Sequence, residues 1–141
     1  METIVTQKWN DQFLAWLGGL SPSYGRIGPT KDAAGVRRWY QNEQLHREDG
    51  PAVEYPDGTS YWYRHGRKHR EDGPAVTYAS GQKEWHLHGE LRCLQTADGS
   101  RYWYCKGRRH RDNGPAIEEV DGRSAWYCNG YPARSDEIVE C

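Results

Sequence analysis

One seven-residue block occurs three times in this chain, as His46-Arg47-Glu48-Asp49-Gly50-Pro51-Ala52, His69-Arg70-Glu71-Asp72-Gly73-Pro74-Ala75 and His110-Arg111-Asp112-Asn113-Gly114-Pro115-Ala116. An internal repeat restricts a chain to architectures in which each copy packs mainly on its neighbours. Tryptophan marks the period: Trp39, Trp62, Trp85, Trp103 and Trp126 are separated by 23, 23, 18 and 23 residues. From Trp62 onward each is followed four residues later by a turn glycine, at Gly66, Gly89, Gly107 and Gly130. A second turn signal closes each unit at Asp57-Gly58, Ser80-Gly81, Asp98-Gly99 and Asp121-Gly122. Two turns per unit, with Trp, Tyr, Val and Thr between them, predict two short strands per repeat.

The residues available for a core are unusual. Of 141 residues only 35% are apolar, while seven Trp and ten Tyr stand against one Phe and one Met. One domain with an aromatic core is the expectation. Strand alternation puts Trp62 on one face and Tyr61 and Tyr63 on the other. The expected arrangement buries Trp with Val or Ile and leaves Tyr40, Tyr63, Tyr104 and Tyr127 as an outward row, the first candidate for partner binding.

Two copies depart from the rule. After Trp85 the block is missing and the spacing shortens by five, which predicts a shortened strand or altered bend over residues 91–97. The last copy, Tyr131-Pro132-Ala133-Arg134-Ser135-Asp136, loses His and Gly-Pro. The resulting expectation is an antiparallel array of stacked hairpins over residues 36–135, forming an elongated twisted sheet, with a tail at 136–141. Residues 1–35 form an N-terminal cap, either a short helix near residues 10–17 or a degenerate repeat around Trp16 and Gly28-Pro29.

The aromatic strand, Gly turn, Lys/Arg-His and Tyr-x-Asp-Gly of this unit resemble the MORN repeat and the hairpin repeats of antitoxin-like bacterial proteins. The His-Arg-Glu-Asp-Gly-Pro-Ala variant is similar to repeats of bacterial and phage proteins. Its Gly falls four rather than three residues after Trp, a departure from MORN. The resemblance implies a stacked-hairpin sheet used for protein or lipid contacts, with no catalytic residue to carry over. It also implies two forms of partner: the target of a phage-type inhibitor of a host defence complex, or the cognate of an antitoxin-like protein.

The residues themselves argue for binding over catalysis. They contain no activated Ser or Cys motif, phosphate loop or isolated carboxylate pair, so no enzyme and no cofactor are expected. His46, His69 and His110 with nearby acids invite a metal reading. Equivalent residues two strands apart lie about 9.5 Å from each other, too far for one ion. The expectation is instead that each His packs beside Trp and donates to a backbone carbonyl, and that Gly of the Gly-Pro block takes a positive φ. Cys93, Cys105, Cys128 and Cys141 lack C-x-x-C spacing, and free thiols are expected.

Net charge is −1, which gives no global field toward DNA or a membrane. Its distribution is uneven, since residues 59–70 hold four basic and no acidic side chains and residues 112–121 hold four acidic and no basic ones. Cross-strand pairing accounts for such stripes. The alternative is a basic track of Arg64, Arg67, Lys68, Arg101, Arg108 and Arg109 that meets nucleic acid, a nucleotide or an acidic protein groove. With no signal peptide and no membrane span read in the sequence, a cytoplasmic location is expected, the host cytoplasm for a phage-encoded chain.

Overall fold

A computed structural model describes residues 28–141. The expected cap helix and the degenerate repeat around Trp16 lie outside the described residues. The fold is mainly β, built from antiparallel hairpins in an open sheet. Its principal path runs through Thr30–Lys31, Arg37–Arg38, Val53–Glu54, Ser60–Tyr61, Val76–Thr77, Lys83–Leu87, Glu90–Gln95, Arg101–Cys105, Ile117–Glu118 and Ser124–Ala125. The first described strand, Thr30–Lys31, lies inside the segment expected to be a cap and pairs with Arg37–Arg38. Among the described residues no helix is long and apolar enough to cross a membrane.

Two turn types generate the hairpins. At the sheet end, Gly58 N–H donates to Tyr55 O at 3.1 Å and Tyr55 N–H to Thr59 O at 2.9 Å, while Asp57 Oδ1 accepts Thr59 N–H at 2.8 Å. Gly58 takes φ 93°, the left-handed residue that ends a three-residue hairpin connection. At the opposite end, His65 and Gly66 have φ 50° and 75°, a two-residue turn with both central residues left-handed.

Tryptophan is the pivot between these ends. Ser60–Tyr61 pairs with Val76–Thr77 in the sheet, whereas Tyr63–Arg64 pairs with Arg67–Lys68 in a separate tip hairpin. Trp62 between them donates its N–H to Ala75 O at 2.6 Å and accepts the His69 N–H at 3.1 Å. The chain must change partners at Trp because the repeated block is inserted between tip and sheet.

The copy without the block shows the converse. Lys83–Leu87, Glu90–Gln95 and Arg101–Cys105 are the longest strands among the described residues, joined in continuous register apart from one bulge that leaves Arg92 as the extra residue. This corrects the expected shortened strand at 91–97, while the bulge at Arg92 falls where the altered bend was expected. Removing the insertion removes the interruption, so pairing runs straight through.

The faces are also reassigned. Val53, Tyr61 and Val76 are direct cross-strand partners and so share a face. Valine is therefore buried on the tyrosine side, and Trp62, one residue along, points away from it. The buried residues are small or polar: Val36, Ala52, Val53, Ala75, Val76, Cys93, Cys105 and Ala116, with His46, Thr59, His69, His86, Ser100 and His110. The five periodic Trp are only half-buried. No ring has to close the core, because polar ties between units substitute for it.

Candidate interaction faces

Each histidine of the repeated block is a buried clamp between successive units. His46 Nδ1 accepts the N–H of His65, His69 Nδ1 that of His88, and His110 Nδ1 that of Asn129, each at 3.0 Å and across 19 residues. An accepting Nδ1 places the ring proton on Nε2. From there His110 donates to Asp112 Oδ1 at 2.7 Å and His69 to Glu71 Oε1 at 3.4 Å. The clamp replaces the expected contact to a backbone carbonyl, because the donor in need of a partner is the left-handed turn residue of the next tip. Burial, together with His65, pushes the His46 pKa down. Thr59 and Ser100 hydroxyls make equivalent ties to the N–H groups of Ala79 and Val120 at 3.1 and 3.2 Å.

The arginine after each histidine covers the tryptophan. Arg47, Arg70 and Arg111 place their guanidinium carbons 4.0, 4.0 and 3.9 Å from the ring centroids of Trp39, Trp62 and Trp103. Each also donates to the carbonyl of the block's proline at 3.2 Å. On its other side lies the block's glycine. A Cβ on Gly50, Gly73 or Gly114 would stand 2.6, 2.9 or 2.8 Å from the same guanidinium carbon. None of these glycines is among the positive-φ residues, so the expected backbone role is replaced by a steric one. Glycine is the residue that lets arginine lie flat between Trp and the main chain.

The tyrosine side carries two aromatic clusters. Tyr61 stands at its centre, with ring centroids of Tyr55, Tyr78 and Tyr63 at 5.8, 6.0 and 6.4 Å. Lys68 lies 5.6 Å over Tyr61 and 3.5 Å from Glu84, whose carboxylate accepts the Tyr78 hydroxyl at 3.1 Å. Burial pushes up the pKa of Tyr61, Tyr63 and Tyr78, most strongly at Tyr78, where Glu84 adds to it. In the second cluster Arg109 sits 4.8 and 4.7 Å from the rings of Tyr102 and Tyr104 and donates to the Tyr104 hydroxyl at 3.0 Å. Tyr40 and Tyr127 lie toward the ends of the array, opposite Leu45 and Pro132. All four tyrosines of the expected outward row are half-buried.

The expected basic track divides between two faces. Lys68 pairs with Tyr63 and Arg109 with Tyr104, which puts both cations among the tyrosines. Arg64 and Arg67 are paired with each other and Arg108 with Cys105, on the opposite side of the tips. Arg101 faces Gln95 and Glu118 across the sheet and donates to Gln95 Oε1 at 3.0 Å. Several other charges are paired across strands: Arg37 with Glu54, Arg47 with Glu54 at 3.3 Å and Arg111 with Glu118 at 2.9 Å.

Sequence reasoning put Tyr61 on the face of Tyr63 but left it, with Tyr55, Tyr78 and Tyr102, out of the candidate row, and it read His65 and His88 only as turn residues. Tyr61 and Tyr102 each precede a periodic Trp by one residue, and Tyr55 and Tyr78 are one 23-residue period apart, so the period contained them. The row left them out because it took only the residue after each Trp and assigned Tyr55 and Tyr78, with the valines, to the Trp face. Cys105 and Cys141 form a disulfide with Cα atoms 6.2 Å apart, while Cys93 and Cys128 are free. This corrects the expectation of four thiols. The tail folds back along the array, and Cys141 N–H donates to Asp112 Oδ1 at 2.9 Å.

Fold and faces together define an open array of antiparallel β-hairpins with a tyrosine-rich side. Comparison with protein-family models and with curated proteins finds no match.

Proposed function

We propose that this chain is a non-enzymatic protein-binding module that engages its partner through the tyrosine side of the array. The observation that carries the reading is the Tyr55-Tyr61-Tyr63-Tyr78 cluster with Lys68 beside it. Half-buried rings held in fixed positions present large contact areas with little side-chain entropy left to lose, and Tyr and Arg dominate protein interface energetics. The second cluster, Tyr102 and Tyr104 around Arg109, extends the same side. The resemblance to antitoxin-like and phage hairpin repeats supports an inhibitory role for the complex so formed.

The test is retention of a partner from a lysate of the source organism, comparing the natural chain with a Tyr63→Ala, Tyr104→Ala double variant and an Arg101→Ser control. A defined protein should co-elute at fixed stoichiometry with the natural chain and the control, and be lost with the tyrosine variant. Equal retention by all three, or material removed by nuclease, would overturn the reading.

A further inference from the structure

On the side of the tips away from the tyrosines lies a cavity of about 340 Å³ lined by Gln44, Arg64, His65, Arg67, His69 and His88. We infer that this cavity is a binding site for a phosphate group. Unlike the proposed protein contact, it uses the opposite face of the tip hairpins and stands independently of it.

Three observations converge on the assignment. The lining holds two guanidiniums and three imidazoles and no carboxylate. Arg67 has no carboxylate within ion-pair distance among the described residues, and Arg64 has only the outward-lying Glu71 at 3.6 Å. Second, Arg64 and Arg67 are direct cross-strand partners, a like-charge pairing that destabilises a hairpin. The matching pairs in other tips are Gln41 with Gln44, Leu87 with Glu90 and Cys105 with Arg108, so the fold does not require it.

Third, His65 and His88 occupy left-handed turn positions at φ 50° and 51°. Asparagine suits that conformation better and is found at the equivalent Asn42 and Asn129. Histidine also tolerates this conformation and Lys106 holds the equivalent position at φ 49°, so the turn permits histidine without requiring it. Each of these imidazoles lies tilted against a buried histidine with ring centroids 4.5 Å apart, His65 on His46 and His88 on His69. His69 in the wall is fixed by the His88 N–H on one nitrogen and faces Glu71 with the other. The result is a preformed wall beside two guanidiniums, of which, among the described residues, only Arg64 has a carboxylate, the exposed Glu71, within ion-pair distance.

A like-charge pairing that the fold does not require points to a functional position. Guanidinium forks match phosphate oxygens in geometry and charge, and a phosphate between Arg64 and Arg67 turns their repulsion into two charge-assisted contacts. The phosphate could belong to a free phosphorylated small molecule or to a polynucleotide backbone, and the test separates the two.

The experiment is a ¹H–¹⁵N titration of the full chain with inorganic phosphate and, separately, with a single-stranded deoxythymidine oligonucleotide. Both arms are repeated on an Arg64→Gln, Arg67→Gln variant. Glutamine keeps the stem of residue 67, which lies beside Gly89, and relief of the like-charge pair should leave the melting temperature equal or higher. The expected result is shifts confined to residues 64–67 and 88–89, weakened more than about tenfold in the variant. Phosphate binding with no tighter response to the oligonucleotide assigns a free phosphorylated ligand. A tighter, strongly salt-dependent oligonucleotide response at the same residues assigns a nucleic acid. Shifts spread over all basic residues, binding unchanged in the variant, or no response at either ligand would overturn the site.

Discussion

His110 shows how much of this protein rests on single polar side chains. With Val76 it is the largest fully buried side chain among the described residues, and it satisfies the Asn129 N–H and Asp112 at once. His110→Ala leaves a buried donor unpartnered and a void, so it should cost about 2–4 kcal/mol, against a change within about 0.5 kcal/mol for exposed Arg123→Ser. Chemical denaturation of both variants measures the difference. The clamp also sets a pH dependence. His46 has its folded-state pKa pushed below the ordinary 6.5 by burial and by His65. The unfolded chain therefore takes up a proton first, and stability present above pH 6.5 is lost as pH falls through the folded-state value. Melting temperature should drop on acidification through this window, and a His46→Gln variant should drop less. Gly73 belongs to the same scale. Gly73→Ala should displace Arg70 from Trp62 at a cost of about 1–2 kcal/mol, and the cost should largely vanish in an Arg70→Ala background. Equal costs in both backgrounds would mean that the glycine serves the backbone after all.

At the scale of the hairpin, the turn signals were legible because they are local. Asp-Gly and Asn-Gly pairs demand left-handed residues, and the sheet-end turns at Gly58, Gly81, Gly99 and Gly122 all adopt them. The first tip lacks the signal, since Asn42 and Glu43 hold φ 50° and 64° where later tips carry Gly at the second position. Glu43→Gly should stabilise the chain by about 0.5–1 kcal/mol, and the reverse change, Gly66→Glu, should destabilise it by a similar amount, both read from thermal unfolding. Which face each strand buries was not legible. In Tyr61-Trp62-Tyr63 both parities are aromatic, so alternation offers no contrast, and only the pairing of Val53 and Val76 with Tyr61 decides it. The Gly-Pro block hid its role for a related reason. Its glycine answers to an arginine side chain packed against it, and no local pattern encodes that contact.

Across the whole molecule, the array has unlike ends and one internal join of a different kind. Units carrying the block are tied tip to tip, as Gly66 N–H to Leu45 O, Gly89 N–H to Lys68 O and Gly130 N–H to Arg109 O, each at 2.9 Å. At the short copy no such tie joins Gly107 to the preceding tip among these bonds, and continuous strand pairing takes over. The disulfide from Cys105 to Cys141 spans 36 residues and encloses the hairpins between them. A repeat count could not reveal it, because Cys141 lies beyond the periodic part and pairs by chain reversal. Closing a loop of this size stabilises by roughly 2–4 kcal/mol, and in an array with neighbour-only contacts the benefit should stay local. Cys141→Ser should therefore speed amide exchange over residues 117–132 while leaving 53–77 nearly unchanged. A thiol count under non-reducing denaturing conditions should rise from the two free cysteines, Cys93 and Cys128, to three in the variant. In the folded natural chain Cys128 should react well ahead of Cys93, whose burial raises its pKa and shields the thiol. Uniform loss of protection along the array would show instead that the units fold as one cooperative block, and an unchanged exchange pattern would show that the bridge does not hold the C-terminal end.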